Sequence, residues 1–368
     1  MRCPGATKTL LWMIRSLLSS LGMAAIALAQ MSDLRYSRIP PPGLSDMSRI
    51  GITVEITPAP QLPDSTLVRN IVKSQMETLG YTVVLPSPQT AEDLSLQVHC
   101  MDVPDSLDTR YASVYLPDTF PKTSPSAVPP CHVSYLYKGE PRPWIHVDRF
   151  IYTEGVSAMN RLAQTRPDLT PHESIHEFLQ QYDFPILLAA EWGHVTRLIQ
   201  ALNHRETSLP RQRLIIKLLG EIQDPSSYAI LVEKLQDAHL AGEAATALGF
   251  FGLRARPSLL AVLQTAHDPI LQAAAAKGLG RIAAMTGDSG PTPLFLEMIS
   301  DPAVDIRVRT ELVWALGKAP DFSSLPTLMK LEQTIWMNYS KDPHLQKLRE
   351  AVEWSIREVK QGGHTGDY

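Results

Sequence analysis

The chain has almost no excess of charge of either sign. Lys and Arg number 34 against 38 Asp and Glu, a formal net charge of −4 over 368 residues. Such a balance predicts no general attraction to nucleic acid or to an anionic surface. Cysteine is scarce, with Cys3, Cys100 and Cys131 the full complement. Long apolar runs are also lacking. The run "SLLSSLGMAAIALAQ", behind Arg2, Lys8 and Arg15, is short for a membrane span and ends in small residues at Ala27-Leu28-Ala29. That pattern reads as a secretory signal, residues 1–29, cleaved after Ala29. Met13 is an alternative start, and an uncleaved anchor is the alternative reading of the run. Removal of the signal takes Cys3 with it and leaves two cysteines. In an oxidising compartment these pair, closing a Pro- and Ser-rich stretch and adding roughly 3 kcal/mol by loop entropy. Two buried free thiols are the alternative.

What the chain does have is proline, 30 in all, most of them at or before Pro171. That half must be rich in turns. Hydrophobic residues at 44% and charged residues at 20% are ordinary for a globular protein. The length allows two domains.

The halves follow different patterns. After a linker, 30–44, the stretch "RIGITVEITP" alternates, with Ile50, Ile52, Val54 and Ile56 on one face of a strand. "DSTLVRNIVKSQMETLGY" has a helical stripe that Gly80 can end. "YTVVL" and "DLSLQVHCM" read as strands, and "CHVSYLYKG" with "WIHVDRFIY" as a late hairpin. Together these predict a small α+β domain over 45–152. A helical connector follows at 153–183.

Beyond it lies an internal repeat. The windows "RQRLIIKLLG" (211–220), "LAGEAATALG" (240–249), "LQAAAAKGLG" (271–280) and "VRTELVWALG" (308–317) all end in Leu-Gly. Columns five, six, eight and nine are apolar or small in each, and a second apolar helix follows each window. Asp-Pro marks the junctions at Asp224, Asp268, Asp301 and Asp342, where Asp can cap a helix and Pro suits its first turn. The glycine closing each window is expected to turn the chain back in a left-handed conformation. "FPILLAAEWG" (184–193) reads as a degenerate earlier copy. The array, 184–360, resembles HEAT repeats of the short, Ala-Leu-Gly-rich type. Only Val308-Arg309 keeps the Val-Arg pair such repeats often carry. A tail, 361–368, is expected to be disordered.

The resemblance implies an all-α solenoid of helix pairs behind the α+β domain, with the window helices lining its concave side. Columns three, seven and eleven then share one exposed face. On it fall Arg213, Lys217, Phe250, Lys277, Arg281, Trp314 and Lys318, with Glu221 the one acidic residue. A basic, aromatic groove predicts a protein partner that presents an acidic segment.

Two strings point toward enzymes. "TGDSGP" (286–291) resembles the nucleophile loop of trypsin-like proteases, centred on Ser289, but a junction between helices needs those residue types anyway. "HESIH" (172–176) matches H-E-x-x-H, in which His172 and His176 would hold zinc and Glu173 would polarise a water. Against that, Thr170, Pro171 and Glu173 read as a capping box. Leu179 and Tyr182 stand where a third-ligand motif wants Gly and His. His172, Ile175, His176 and Leu179 form a packing stripe. The favoured reading is therefore an exported, non-enzymatic binding or scaffold protein with no cofactor. The alternatives are a zinc-dependent hydrolase and ligand binding by the α+β domain with the array as a docking module.

Overall fold

The computed structural model describes residues 43–44, 46–56, 65–84, 92–100, 130–145, 147–166, 168–169, 171–319, 321–337 and 342–362. All of them belong to one unit, 42–368. The expected signal segment, most of the linker and the tail from 363 lie outside them.

Strand β1 (Arg49–Ile56) buries Ile50, Ile52 and Val54, as its alternation requires. Helix α1 (Ser65–Thr78) lays Val68, Val72 and Met76, spaced by four, against the sheet. The chain turns at Gly80, with φ +78, into β2 (Thr82–Val84). Strands β3 (Leu94–Cys100), β4 (Cys131–Tyr137) and β5 (Glu140–Arg142) complete a five-stranded sheet of order β2-β1-β3-β4-β5. β1 runs parallel to β2 and β3, and the other pairs are antiparallel. Cys100 and Cys131 sit opposite each other in register and form a disulfide. The packed body begins inside the expected linker, because Leu44 is fully buried.

The second arm of the expected hairpin is different. β5 ends at Arg142, and "DRFIY" opens helix α2 (Asp148–Thr165). Val147, Gly155, Ala158 and Leu162 are buried at a helical period that overrides the short apolar alternation before them.

Helices α3 (Pro171–Gln181) and α4 (Phe184–Glu191) lead into the array. Every residue of α4 is buried, since it is wedged between sheet and array. Then come α5 (Val195–Asn203), α6 (Leu209–Ile222), α7 (Ser227–Lys234) and α8 (Ala241–Leu248). A 3-10 turn (Gly249–Ala255) leads to α9 (Arg256–Thr265), α10 (Pro269–Thr286), α11 (Thr292–Ser300) and α12 (Ile306–Lys318). The described part closes with α13 (Leu325–Met337) and α14 (Pro343–Gln361). The window helices α6, α8, α10 and α12 stack in series, followed by α14, and the alternate helices form a second layer. Columns five, six, eight and nine are buried in all four windows. The fold is thus an α+β domain followed by an α-solenoid, with one continuous core.

The window glycines do not turn the chain. Gly220, Gly280 and Gly317 lie within helices and Gly249 at the end of one, none of them at positive φ. They are where neighbouring helices touch. A Cβ on Gly220 would stand 2.8 Å from that of Ala247, and one on Gly280 3.0 Å from that of Ala315. On Gly249 it would lie 2.7 Å from Gly278 Cα and O. Column ten of one repeat thus packs on column eight of the next, and only small residues allow that approach. The left-handed turns fall later, at Gln223, Gly252 and Gly287.

The Asp-Pro junctions divide. Asp268 and Asp342 cap α10 and α14, each accepting a backbone N–H at 2.9 Å. Asp224 and Asp301 instead hold turns, and Asp305 caps α12.

Candidate functional site

A groove of ≈ 450 Å³ runs across α6, α8, α10 and α12. Four of the residues predicted from the repeat columns line it: Lys217, Phe250, Lys277 and Arg281. Lys217 and Lys277 are exposed on the first and third window helices, α6 and α10. Arg281 Cζ lies over the Phe250 ring, 3.6 Å from its centroid, and its guanidinium donates to Thr246 O at 3.2 Å. Both residues occupy column eleven, so the solenoid step itself makes this cation–π stack.

Three predicted residues stand apart from the lining. Arg213 is paired with Glu243 at 3.4 Å and donates to His239 O at 3.2 Å. Trp314 is half-buried against Trp354, with ring centroids 4.9 Å apart. Lys318 is half-buried, and burial lowers its amine, helped by Arg281 and Lys277 and opposed by Glu311.

The columns gave Glu221 but missed two further acids. Glu243 and Glu311 line the groove from column four, and Phe150 reaches it from α2. Column four precedes column seven by three residues and so shares its face, a neighbour that spacing by four alone leaves out. Burial raises the Glu311 carboxyl above its ordinary range, against the pull of Lys277, Lys318 and Lys347. The groove is therefore mixed in charge. Glu221 and Glu243 lie toward α6 and α8, and a cationic cluster surrounds Glu311 toward α12.

The array meets the sheet through the turn Glu191-Trp192-Gly193-His194. Glu191 is 1% exposed, and its carboxyl accepts Tyr135 Oη at 3.2 Å, Ile145 N at 3.0 Å and Val147 N at 3.2 Å. His194 Nε2 lies 2.9 Å from Leu44 O and Nδ1 2.6 Å from Tyr81 Oη. The carbonyl can only accept, so Nε2 donates and Nδ1 accepts from the phenol, the arrangement of a neutral imidazole. Burial lowers the His194 pKa and raises that of Tyr81.

A larger cleft, ≈ 970 Å³, lies beside this junction, between the turn after α1 and helices α2, α5 and α6. Two ion pairs line it, Arg161 with Glu154 of the same helix at 2.8 Å and Arg211 with Asp183 at 3.3 Å. Burial raises the carboxyls of Glu154 and Asp183.

The enzyme-like strings have structural roles or fall outside the described residues. Asp288 of "TGDSGP" takes both of its oxygens to Arg256 Nη1 at 3.0 Å, and Gly287 ends α10 at φ +68. Pro171 opens α3, while Thr170 and the side chain of His172 lie outside the described residues. Ile175, Phe178, Leu179 and Tyr182 are buried, so α3 packs by the predicted stripe. Glu173 is exposed, and His176 is half-buried beside Gln180, 3.4 Å away. Among the described residues no three His, Cys, Asp or Glu side chains converge as a metal site.

Residues 195–280 match the family model for HEAT repeats. This stretch is HEAT-like. The match spans α5 and the window helices α6 and α8, and ends within α10 at Gly280. The HEAT-like array thus includes the groove-lining residues Lys217, Phe250 and Lys277. No curated protein matches the chain.

Proposed function

We propose that this protein is an exported, non-enzymatic scaffold that binds a protein partner along the groove of its HEAT-like array. The observation that carries the reading is the groove itself. The first and third windows deliver the exposed Lys217 and Lys277, and the second and third the stacked Arg281–Phe250 pair, to one continuous surface. Surfaces of this kind, cationic with a rigid aromatic, anchor acidic segments. The partner's carboxylates belong at the α10–α12 end, where Lys277, Lys318 and Lys347 outnumber Glu311. Export is supported by the apolar N-terminal run ending in Ala27-Leu28-Ala29 and by the Cys100–Cys131 disulfide. No helix among the described residues is long and apolar enough to cross a membrane.

The test is affinity capture with the full chain, identification of the partner, and titration of the purified pair. Lys277→Glu with Lys347→Glu is expected to weaken binding about tenfold or more, and raised salt to weaken it further. Lys360→Glu, exposed in the last turn of α14, is the control and should leave binding unchanged. Undiminished binding by the double variant would remove the groove from the mechanism.

A further inference from the structure

The sheet has two faces, and the core uses one. The other carries a row that crosses three strands. Glu55 of β1 is in register with His99 of β3, and His99 with His132 of β4. Their core-side neighbours alternate with them, and all three point away from the buried face. Glu55 Oε2 stands 3.3 Å from His99 Nδ1. One residue along, Cys100 and Cys131 covalently join the same two strands.

We infer that His99 and His132 form a two-imidazole chelate for a borderline divalent cation such as zinc, with Glu55 orienting His99. Cross-strand partners place their Cβ atoms roughly 4.5–5.5 Å apart, which lets two imidazoles close on one ion at about 2.0–2.1 Å. The Glu55 carboxylate accepts from Nδ1–H of His99 and so turns Nε2 toward the ion. That is the carboxylate–histidine arrangement that fixes the tautomer and strengthens the donor. Imidazole nitrogen selects zinc, copper and nickel over magnesium and calcium. The disulfide prevents the register slip that would carry the rings to opposite faces. No third His, Cys, Asp or Glu converges on the pair among the described residues. The pair is distinct from the H-E-x-x-H string on α3.

Calorimetric titration of the tag-free, oxidised, metal-free full chain with zinc chloride tests it. One equivalent should bind. His99→Asn and His132→Asn should each weaken binding at least tenfold, Glu55→Gln roughly tenfold, and His176→Ala not at all. Unchanged affinity in the His99→Asn/His132→Asn double variant, or no binding at millimolar zinc, overturns the site. A second measurement needs no variant. Zinc should protect His99 and His132 from diethyl pyrocarbonate, read by peptide mass spectrometry, and equal modification with and without zinc also overturns it.

Discussion

At the scale of single residues, the small side chains of the array are set by helix contact. Gly249 and Gly242 make the point together, one ending α8 and the other inside it. A Cβ on Gly249 would meet the backbone of Gly278 at 2.7 Å, whereas on Gly242 it would find only Ala274 Cβ at 4.0 Å. Gly→Ala at an uncrowded helical position stabilises by about 0.4–1 kcal/mol, but overpacking costs about 1–3 kcal/mol. Urea denaturation is therefore expected to show Gly249→Ala destabilised and Gly242→Ala unchanged or stabilised. A stabilised Gly249→Ala would refute the crossing argument. The repeat columns were plain in the sequence, but the reason for column ten was not. Helix end and helix crossing both select glycine, and only the packing of α8 on α10 separates them.

At the scale of elements, the turn from α4 to α5 couples the sheet to the array. Gly193 there, at φ +74, is in the left-handed conformation that the window glycines lack. His194 ties the turn to Leu44 and Tyr81, with Arg197 opposing its protonation and Asp46 favouring it, both weaker than burial. Its folded pKa lies below the ordinary value of about 6.5, so the unfolded chain binds the proton more readily. The stabilisation is full above that value and is lost as pH falls through it toward the folded pKa. His194→Ala, which leaves Tyr81 Oη and Leu44 O buried without this partner, should cost roughly 1–3 kcal/mol per group and flatten the pH dependence near 6.5. Chemical melts between pH 5 and 8 check both, and an unaltered slope in the variant would exclude His194 as its source. Nothing in the local pattern of "EWGHV" marks these contacts, because their partners are 44 to 150 positions away.

At the scale of the whole molecule, sheet, connector and array share one core, so the groove is carried by the same body as the disulfide-bonded sheet. An exported chain is expected to begin at Gln30 and to hold Cys100 and Cys131 oxidised. Intact mass and a non-reducing peptide map of protein from the extracytoplasmic fraction report both, and a chain that keeps residues 1–29 would contradict the cleavage.

By itself the sequence determined the strand–helix–strand opening, the solenoid, its buried columns and the cysteine pair. Each depends on periodicity or on a short inventory of residues, and so is local. Tertiary structure decided that Glu243 and Glu311 join Glu221 in one groove, since helices from different repeats meet there only when stacked. It also decided where α2 begins. Val147 N finds its acceptor in Glu191, 44 residues later, and a buried amide takes the fold that pairs it. The row Glu55–His99–His132 has the same origin: three residues far apart in the chain become neighbours only through strand register.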